Sequence, residues 1–363
     1  MFPNMATTEY IYDIALSFLY RNSLRKALQV LDHYGSAEEA WRHLDAAEMK
    51  ACWERAEREC EWIERHGICV FTLADEGYPY RLRQCPDRPL VLYAKGNVRP
   101  SEGHTVSIVG TRRATERGRE WTNALVRDLG QQLEQVTIIS GGAYGIDIAA
   151  HRAALQYDLP TIIVPAHGLD RIYPAQHRPE AVAALERGGL LTEFPSETEP
   201  LAFNFVCRNR IVAGLADAVV VVESRDKGGS LITARMARDY DRELFAFPGR
   251  PTAETAQGCN RLIASHEAQL ITCADDLIQS MSWTTRQTVH RPVQTQMTGL
   301  MAELTERQTR LAQLLQEAED GIHINLLVME TGGDYAAVAS DLVLMEMQSL
   351  VRSLPGGIYR LVR

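Results

Sequence analysis

Lysine is scarce in the middle of this 363-residue chain. Between residues 101 and 280 only Lys227 occurs, and arginine supplies the other permanently charged basic side chains. Arginine makes planar, two-pronged contacts with phosphate and stacks on bases, which lysine cannot do. A bias in genomic base composition produces the same pattern, so both explanations stay open. The net charge of −9 argues mildly against a protein coated in nucleic acid, although local patches rather than totals steer polyanions.

Other features are missing as well. No apolar run approaches the roughly 18 residues that a membrane-spanning helix needs. The first residues lack the basic and apolar regions of a secretory signal. The seven cysteines are scattered without a CxxC pair, which argues against a disulfide framework and against a zinc site. We therefore expect a cytoplasmic protein with no membrane partner and no metal.

The common nucleotide fingerprints are also absent. The chain has no GxxxxGK[ST] motif, which disfavours a P-loop ATPase. Glycines 141, 142 and 145 do not follow GxGxxG, and no acid follows at the distance that holds a ribose. A dinucleotide oxidoreductase is therefore disfavoured, and we expect no cofactor.

Short apolar strands and amphipathic helices alternate from Val106 onward. The strands are VSIVG, VTIIS, TIIVPA, GLLTEF, AVVVVES, ELFAFPG and QLIT, and helices are expected over residues 116–133, 145–157, 206–215, 230–240 and 260–267. Near-continuous Val and Ile runs suit strands that are covered on both faces. The pattern predicts an α/β fold with a parallel sheet and helices on both of its sides.

The two ends of the chain have other patterns. Residues before about 66 show helical periodicity and predict a small helical domain, whereas residues 281–299 are polar and aperiodic, as in a linker. After Leu304, three helical stretches precede RSLPGGIYRLV. Three helices followed by a Pro-Gly-Gly hairpin predict a winged-helix module.

The expected recognition helix of that module is acidic and apolar. It carries Asp334, Asp341 and Glu346, with no Lys or Arg before Arg352. A helix that enters a DNA groove normally places basic residues near phosphates. We therefore expect this module to contact protein, or nothing, rather than duplex DNA.

Three glycine-containing turns are expected to connect strands to helices at one edge of the sheet. In open parallel sheets ligands gather where strands end and helices begin, because unpaired N–H groups there favour an anion. Arg112 can add a charge-assisted fork, and Ser230 is expected to be a helix N-cap. The predicted anion-binding rim comprises Gly110, Thr111, Arg112 and Arg113, then Ser140, Gly141, Gly142, Tyr144 and Gly145, then Lys227, Gly228, Gly229 and Ser230.

The segment FNFVCRNR adds Asn204, Arg208, Asn209 and Arg210 to these candidates. Side chains two residues apart on a helix point about 200° apart, so Arg208 and Arg210 cannot both face one ligand if both are helical. One is expected to reach the rim, and the other to pair internally with an acid. A structural role for both also stays open. Asn209 is expected to form a hydrogen bond in a loop or at a helix start.

Asp147 and His151 follow the glycine loop four residues apart, so they can share a helix face. A catalytic dyad is conceivable, but no Ser or Cys nucleophile is placed beside it. An acid in the first turn usually stabilises the helix start. We predict that both residues are structural supports and that the chain has no catalytic residue.

Together these segments resemble the DprA/Smf family, the DNA-processing proteins of bacterial natural transformation. The resemblance runs in order over most of the chain. The matching stretches are DEGYPYRL, RPLVLYAKG, SIVGTRRATERG, SGGAYGIDIAAHRAAL, GLDRIYP, TEFP, RNRIVAGLADAVVVVES, GGSLITARMARDYDRELFAFPG and GCNRLIASHEAQLI. It implies an extended Rossmann-like domain over residues 83–282, a sterile-alpha-motif-like domain over 1–82, a linker over 283–300 and a winged helix over 301–363.

The resemblance also implies a function. It predicts a protein that binds single-stranded DNA, protects incoming strands, loads the RecA recombinase and forms a homodimer through the Rossmann-like domain, without catalytic turnover. Arg112 falls where the family places a DNA-contacting arginine, and residues 140–145 and 208–210 fall along the same rim.

This chain departs from the family pattern at several positions. The loop commonly reads SGLARGID, whereas Gly142 and Tyr144 stand here in place of Leu and Arg. Ala175-Gln176 and Val206-Cys207 stand where basic residues can occur. Fewer cations imply a shallower dependence of binding on salt. Tyr144 can either stack on a base or only pack.

Two other functions stay open at this point. One is an enzyme on a related scaffold, similar to the nucleoside monophosphate phosphoribohydrolases. The nearest match to their PGGxGTxxE stretch, KGGSLITA, lacks the acid. The other is a recombinase adaptor that does not bind DNA.

Overall fold

The computed structural model describes residues 10–21, 23–45, 47–286, 305–316, 322–332, 334–347, 350–354 and 357–361. The chain divides into two compact units, Met1–Arg286 and Gln287–Arg363. Of the predicted linker over 283–300, residues 287–300 lie outside the described residues. The predicted domain limits stay predictions.

The first unit begins with four helices. They are α1 (Ile11–Leu19), α2 (Leu24–Tyr34), α3 (Ala37–His43) and α4 (Met49–His66). Their apolar faces, including Ile14 and Leu16 of α1 and Ile63 of α4, pack against Val91 and Tyr93 of the adjoining sheet. This helical layer therefore covers one end of the sheet rather than standing apart from it.

A nine-stranded sheet organises the rest of the first unit. Its strands are β1 (Cys69–Thr72), β2 (Val91–Gly96), β3 (His104–Val109), β4 (Val136–Ser140), β5 (Thr161–Ile163), β6 (Gly189–Thr192), β7 (Ala218–Val221), β8 (Glu243–Ala246) and β9 (Gln269–Leu270). Their spatial order is β1-β2-β6-β5-β4-β3-β7-β8-β9. The last seven strands in this order, β6-β5-β4-β3-β7-β8-β9, are parallel to one another. Six of them, in the order β5-β4-β3-β7-β8-β9, have the doubly wound Rossmann order. The predicted α/β fold with a Rossmann-like parallel sheet is therefore confirmed.

Helices cover both faces of this sheet. They are α5 (Tyr80–Arg83), α6 (Glu116–Gln132), α7 (Ile146–Gln156), α8 (Arg178–Ala184), α9 (Ala202–Gly214), α10 (Ser230–Asp239), α11 (Gln257–Ala264) and α12 (Ala274–Ser280). Helices α9, α10 and α11 pack into one apolar core, and α6, α7 and α12 pack into the other. The all-buried strand β7 lies between them, as its unbroken Val run predicts.

Two local predictions differ from the structure. Helix α9 begins at Ala202 rather than near Val206, so Asn209 lies inside the helix and its expected place at a helix start or in a loop is wrong. Its N-cap, Leu201, has no side-chain hydrogen bond to mark the start. Ser230 is the first residue of α10 rather than its N-cap, which is Gly229. The hydroxyl of Ser230 instead donates to Ser224 Oγ at 2.9 Å.

The second unit contains α13 (Glu306–Gln316), β10 (Ile322–His323), α14 (Ile324–Thr331), α15 (Tyr335–Met347), β11 (Val351–Leu354) and β12 (Ile358–Leu361). The strands pair antiparallel in the order β10-β12-β11. The three helices and the hairpin appear in the predicted order, while the winged-helix assignment and its protein-binding role stay predictions. Asp341 of α15 is buried and accepts hydrogen bonds from Arg307 and Gln308, so this acid is internal.

Candidate nucleic-acid interface

The sheet has its topological switch point between β3 and β7, where the chain turns from one half of the sheet to the other. The loop after β3 is fixed there by a hydrogen bond from the Thr111 amide to the Glu223 carbonyl at 2.8 Å. Gly110 is required because a Cβ would lie 2.8 Å from the Ile146 Cβ and 3.0 Å from the Glu223 oxygen. The Thr111 hydroxyl accepts from the Arg113 amide at 3.2 Å and is therefore turned into its own loop.

Arg112 and Arg113 project from this loop into solvent. The Arg112 guanidinium lies 5.2 Å from the centroid of the Phe205 ring. In the part of the chain that the structure describes, neither arginine makes a side-chain hydrogen bond or an ion pair. Arg112, on which the predicted rim depends, is therefore exposed rather than turned inward against a carboxylate.

The glycine loop after β4 packs directly against the β3 loop. The Ile146 amide donates to the Thr111 carbonyl at 3.2 Å. At Gly145, φ is +82°, and a Cβ there would contact the Thr111 oxygen and lie 2.7 Å from the Arg112 carbonyl carbon. Ser140 is buried and donates to the Ile108 carbonyl at 2.6 Å, so it is not at the surface. The two predicted turns thus form one continuous surface.

The interior of the glycine loop already contains a carboxyl group of the protein itself. Asp147 is buried, and its carboxylate accepts hydrogen bonds from the Ala143 amide at 3.4 Å and from the Gly141 amide. Burial raises the pKa of Asp147, and the positive charge of Arg208 opposes this shift. Two of the amides in the predicted phosphate cradle are therefore occupied by the protein's own carboxylate. Among the described residues, the amides of Tyr144 and Gly145 have no partner.

Asp147 and His151 do not form a dyad. His151 is fully buried, and its Nδ1 lies 2.7 Å from the Thr161 hydroxyl, which donates to the Ile138 carbonyl at 2.9 Å. His151 is therefore the donor to Thr161. Burial lowers the pKa of His151 to about 3, so the ring is neutral at physiological pH. The contacts of both residues are those of structural supports.

The two arginines of the RNR segment are buried and bonded to protein. Arg208 donates to the carbonyls of Gly141 and Val164, and burial lowers its pKa to about 10. Arg210 pairs with Glu193 and donates to the Asp87 carbonyl at 2.5 Å. The expected internal pairing with an acid thus applies to Arg210. Arg208 reaches the glycine loop from behind, so it holds the loop in place without being exposed at the rim.

The other two candidates of that segment are less exposed than expected. Asn204 is buried and donates to the Glu199 carbonyl at 2.9 Å. Asn209 is half-buried. Both therefore lie behind the rim surface, and their predicted contact with DNA stays a prediction.

The third predicted turn, after β7, is folded upon itself. A Cβ on Gly228 would meet the Ser224 side chain. The backbone carbonyl of Ser224 accepts a hydrogen bond from the Gly258 amide at 2.8 Å. Lys227 is exposed. Gly229 has open space beside it. This turn therefore exposes Lys227, whereas the neighbouring Arg225 is paired with Glu254.

Tyr173 and Phe205 complete the surface and were not predicted from the sequence, whereas Tyr144 was. Tyr173 is 51% exposed, and its ring lies 6.0 Å from that of the half-buried Phe205. Tyr144 is 42% exposed, and its hydroxyl donates to Gln176 Oε1 at 2.7 Å. We call Arg112, Tyr144, Tyr173 and Phe205 the aromatic rim. Phe205 stands three residues before Arg208, and recognising the early start of α9 would have placed it near the loop.

A cleft of about 560 Å³ adjoins the aromatic rim between α6 and α7. Its lining includes Arg112 and Tyr144, together with Arg119 of α6 and Arg152 of α7. Arg152 is paired with Glu180, whereas Arg119 is exposed and has no ion pair among the described residues. The cleft thus combines free guanidinium groups with an exposed aromatic ring.

The described residues contain no group of three or more His, Cys, Asp or Glu side chains that could hold a metal ion. None of the helices within the described ranges has the length and apolar character to cross a membrane.

Comparison with known proteins gives consistent relatives. The putative DNA processing protein DprA of Mycobacterium tuberculosis is 38% identical over 239 residues, which cover 62% of this chain and 61% of that protein. The chain thus spans about three fifths of that relative's length. The DNA processing protein DprA of Streptococcus pneumoniae is 32% identical over 284 residues, covering 76% of this chain and 98% of that protein.

Two solved structures are similar. The X-ray structure of DprA from S. pneumoniae matches with a TM-score of 0.65 at 28% identity, covering 77% of this chain and 98% of that one. A structure of DNA processing protein A from Helicobacter pylori, described for its unique single-stranded DNA binding mode, matches with a TM-score of 0.53 at 30% identity, covering 59% and 95%. The family model of DNA recombination-mediator protein A matches residues 69–282, more than half of the chain. The chain therefore belongs to the DNA recombination-mediator protein A family, which confirms the resemblance to DprA/Smf.

Proposed function

We propose that this protein binds single-stranded DNA at the aromatic rim. The observation that carries the proposal is the exposed Arg112 guanidinium beside Phe205, Tyr173 and the glycine loop. A guanidinium binds phosphate, and exposed rings stack on bases that are not paired in a duplex. The H. pylori relative, described for binding single-stranded DNA, supports the same ligand.

The site supports binding rather than turnover. Asp147 and His151, the pair nearest to a catalytic arrangement, are buried and bonded to the chain's own groups. A general base must reach the proton that it abstracts. We therefore propose a DNA-processing protein in transformation that protects incoming strands without turnover and passes them to RecA. The RecA step rests on the family resemblance alone.

We also propose a homodimer formed through the α/β domain. Strand β9 ends the sheet, and its Leu270 is 45% exposed. An uncovered edge strand is a natural pairing surface. Leu270→Lys should shift the protein toward monomer in sedimentation velocity.

All seven cysteines are free thiols, which supports a cytoplasmic location.

A competition experiment tests the DNA ligand. A fluorescent single-stranded oligonucleotide is bound, then displaced with unlabelled single-stranded or double-stranded DNA of the same length. We expect the single strand to displace the label at much lower concentration. Equal displacement by the duplex would contradict binding through stacked, unpaired bases.

A further inference from the structure

A second cleft lies on the other side of the α6 N-terminus and is larger than the one beside the aromatic rim. Its volume is about 940 Å³, and it lies at the ends of β7 and β8. Thr115, Arg117 and Trp121 of the α6 region form one wall, and the segment that includes Phe247 and Arg250 forms another. Glu223 lies in the lining between them. A volume of several hundred Å³ is typical of sites that take a small organic group.

A stacked group of side chains joins the two walls. The Trp121 and Phe247 rings lie 5.4 Å apart with planes at 15°, and the Arg117 guanidinium lies 4.9 Å from the centroid of the Trp121 ring. Phe247 is buried, whereas Arg117 is exposed. A flat aromatic group can extend this arrangement by stacking on the exposed guanidinium of Arg117.

The charges of the cleft suit a nucleotide. Arg117 and Arg250 are exposed, and within the described ranges neither has an ion-pair partner. Glu223 accepts from the Thr115 amide at 2.9 Å and from the Thr115 hydroxyl at 2.6 Å. Glu223 is buried and both of its oxygens are used by Thr115, so it anchors the start of α6, and its charge disfavours a phosphate at this point of the lining. Arg117 and Arg250 are therefore the groups of the cleft that can bind a phosphate.

The second cleft continues the first site along the chain. The segment RRATERGR, residues 112–119, contains four arginines. Arg112 and Arg113 belong to the β3 loop, and Arg117 and Arg119 belong to α6. Arg112 and Arg119 line the cleft beside the aromatic rim, and Arg117 lines the second cleft. A chain of phosphates that crosses the start of α6 meets these arginines in turn.

We propose that the cleft of Arg117, Trp121, Phe247 and Arg250 is a second nucleotide-binding site, which takes the continuation of a DNA strand held at the aromatic rim. This inference rests on the proposed function. It predicts that short oligonucleotides occupy the aromatic rim alone, and that longer ones gain affinity from the second cleft.

Oligonucleotide length separates the two sites. Fluorescently labelled single strands of about 4 to about 20 nucleotides span the site sizes of single-strand binders. The double variant Arg117→Ala/Arg250→Ala should bind the shortest strands like the parent and the longest about tenfold more weakly. Its salt slope with long strands should be lower by about 1.4, two phosphate contacts at about 0.7 each. Arg58→Ala/Arg65→Ala, two exposed arginines of α4, removes the same charge and should change neither.

Cross-linking gives an independent measure. A long strand with 5-iodouracil bases is irradiated on the full-length parent protein, and peptides are mapped by mass spectrometry. We expect cross-links in residues 120–127 or 243–261, the tryptic peptides that contain Trp121 and Phe247, and none there with the shortest strands. Cross-links confined to the aromatic rim, or parent-like affinity of the double variant for all lengths, would overturn the second site. If Arg112→Ala still weakened binding, the proposed function would stand without it.

Discussion

The guanidinium of Arg112 lies 5.2 Å from the centre of the Phe205 ring, although the two residues are 93 positions apart and belong to different elements. The pairing keeps Arg112 extended at the surface without using its hydrogen-bond donors. These donors stay available to a phosphate, and the adjacent rings offer faces to bases. Charge and stacking should therefore contribute to DNA binding in separable ways.

Removing a ring from the aromatic rim should weaken binding without changing its salt dependence. Tyr173→Ala should cost about 1–3 kcal/mol in affinity for a single strand because it removes a stacking surface but no charge. The measurement is fluorescence anisotropy at several salt concentrations. Phe203→Ala removes an exposed ring from the same region of α9 and is the matched control. Equal losses in the two variants, or a changed salt slope for Tyr173→Ala, would argue against stacking.

The contact between the two loops should depend on Gly145. Its φ of +82° and the close backbone of residues 111 and 112 leave no room for a Cβ. Gly145→Ala should lower the free energy of unfolding by about 1–3 kcal/mol and weaken DNA binding. Gly229→Ala, where space is open and φ is −62°, should change the free energy of unfolding by less than about 1 kcal/mol. Urea unfolding followed by circular dichroism measures both. Equal stability of the two variants would contradict the packed-loop geometry.

Asp147 should be a structural residue. Asp147→Ala removes the acceptor of the Ala143 amide and a negative charge that stabilises the buried Arg208, so the free energy of unfolding should fall by about 1–3 kcal/mol. Asp147→Asn keeps an acceptor for the loop amides and should cost less. Incubation of the parent with nucleoside monophosphates, followed by chromatography, should show no free base. Base release by the parent that disappears in Asp147→Asn would support the phosphoribohydrolase reading instead.

His151 should make stability depend on pH in one direction. Its folded pKa of about 3 lies below the ordinary value of 6.5, so between these values only the unfolded chain binds the proton. The stabilising contribution is complete above pH 6.5 and is lost as the pH falls toward 3. The advantage of the parent over His151→Asn in urea unfolding should shrink by roughly 1 kcal/mol per pH unit below 6.5. A difference that stays constant between pH 7 and pH 4 would rule this out.

Much of the fold could be predicted because its signals are local. The Val run at β7 indicates a strand buried on both faces, and Thr115 at the start of α6 caps the Gly118 amide as its residue type favours. The early start of α9 has no such signal, since Leu201 caps nothing with its side chain. That missing cap hid Phe205 from the predicted site.

The candidate site was less predictable because it depends on long-range contacts. Arginine is rarely buried, so neither spacing nor residue type indicated that Arg208 lies beneath the glycine loop. The position of Tyr173 beside Phe205 results from the packing of distant segments. Glycines 110 and 145 were predicted to lie on an anion-binding rim, and what the structure places against their backbone is the chain itself.

Salt-dependent binding of Arg112→Ala is the most direct test of the aromatic rim. Affinity for one single-stranded oligonucleotide is measured by anisotropy at several salt concentrations for the parent, for Arg112→Ala and for the control Arg58→Ala. Arg112→Ala should lose about 1.5–3 kcal/mol and lower the salt slope by about 0.7, as expected for one charged contact to a phosphate. Arg58→Ala should match the parent. Binding by Arg112→Ala that equals the parent at every salt concentration would contradict the central claim.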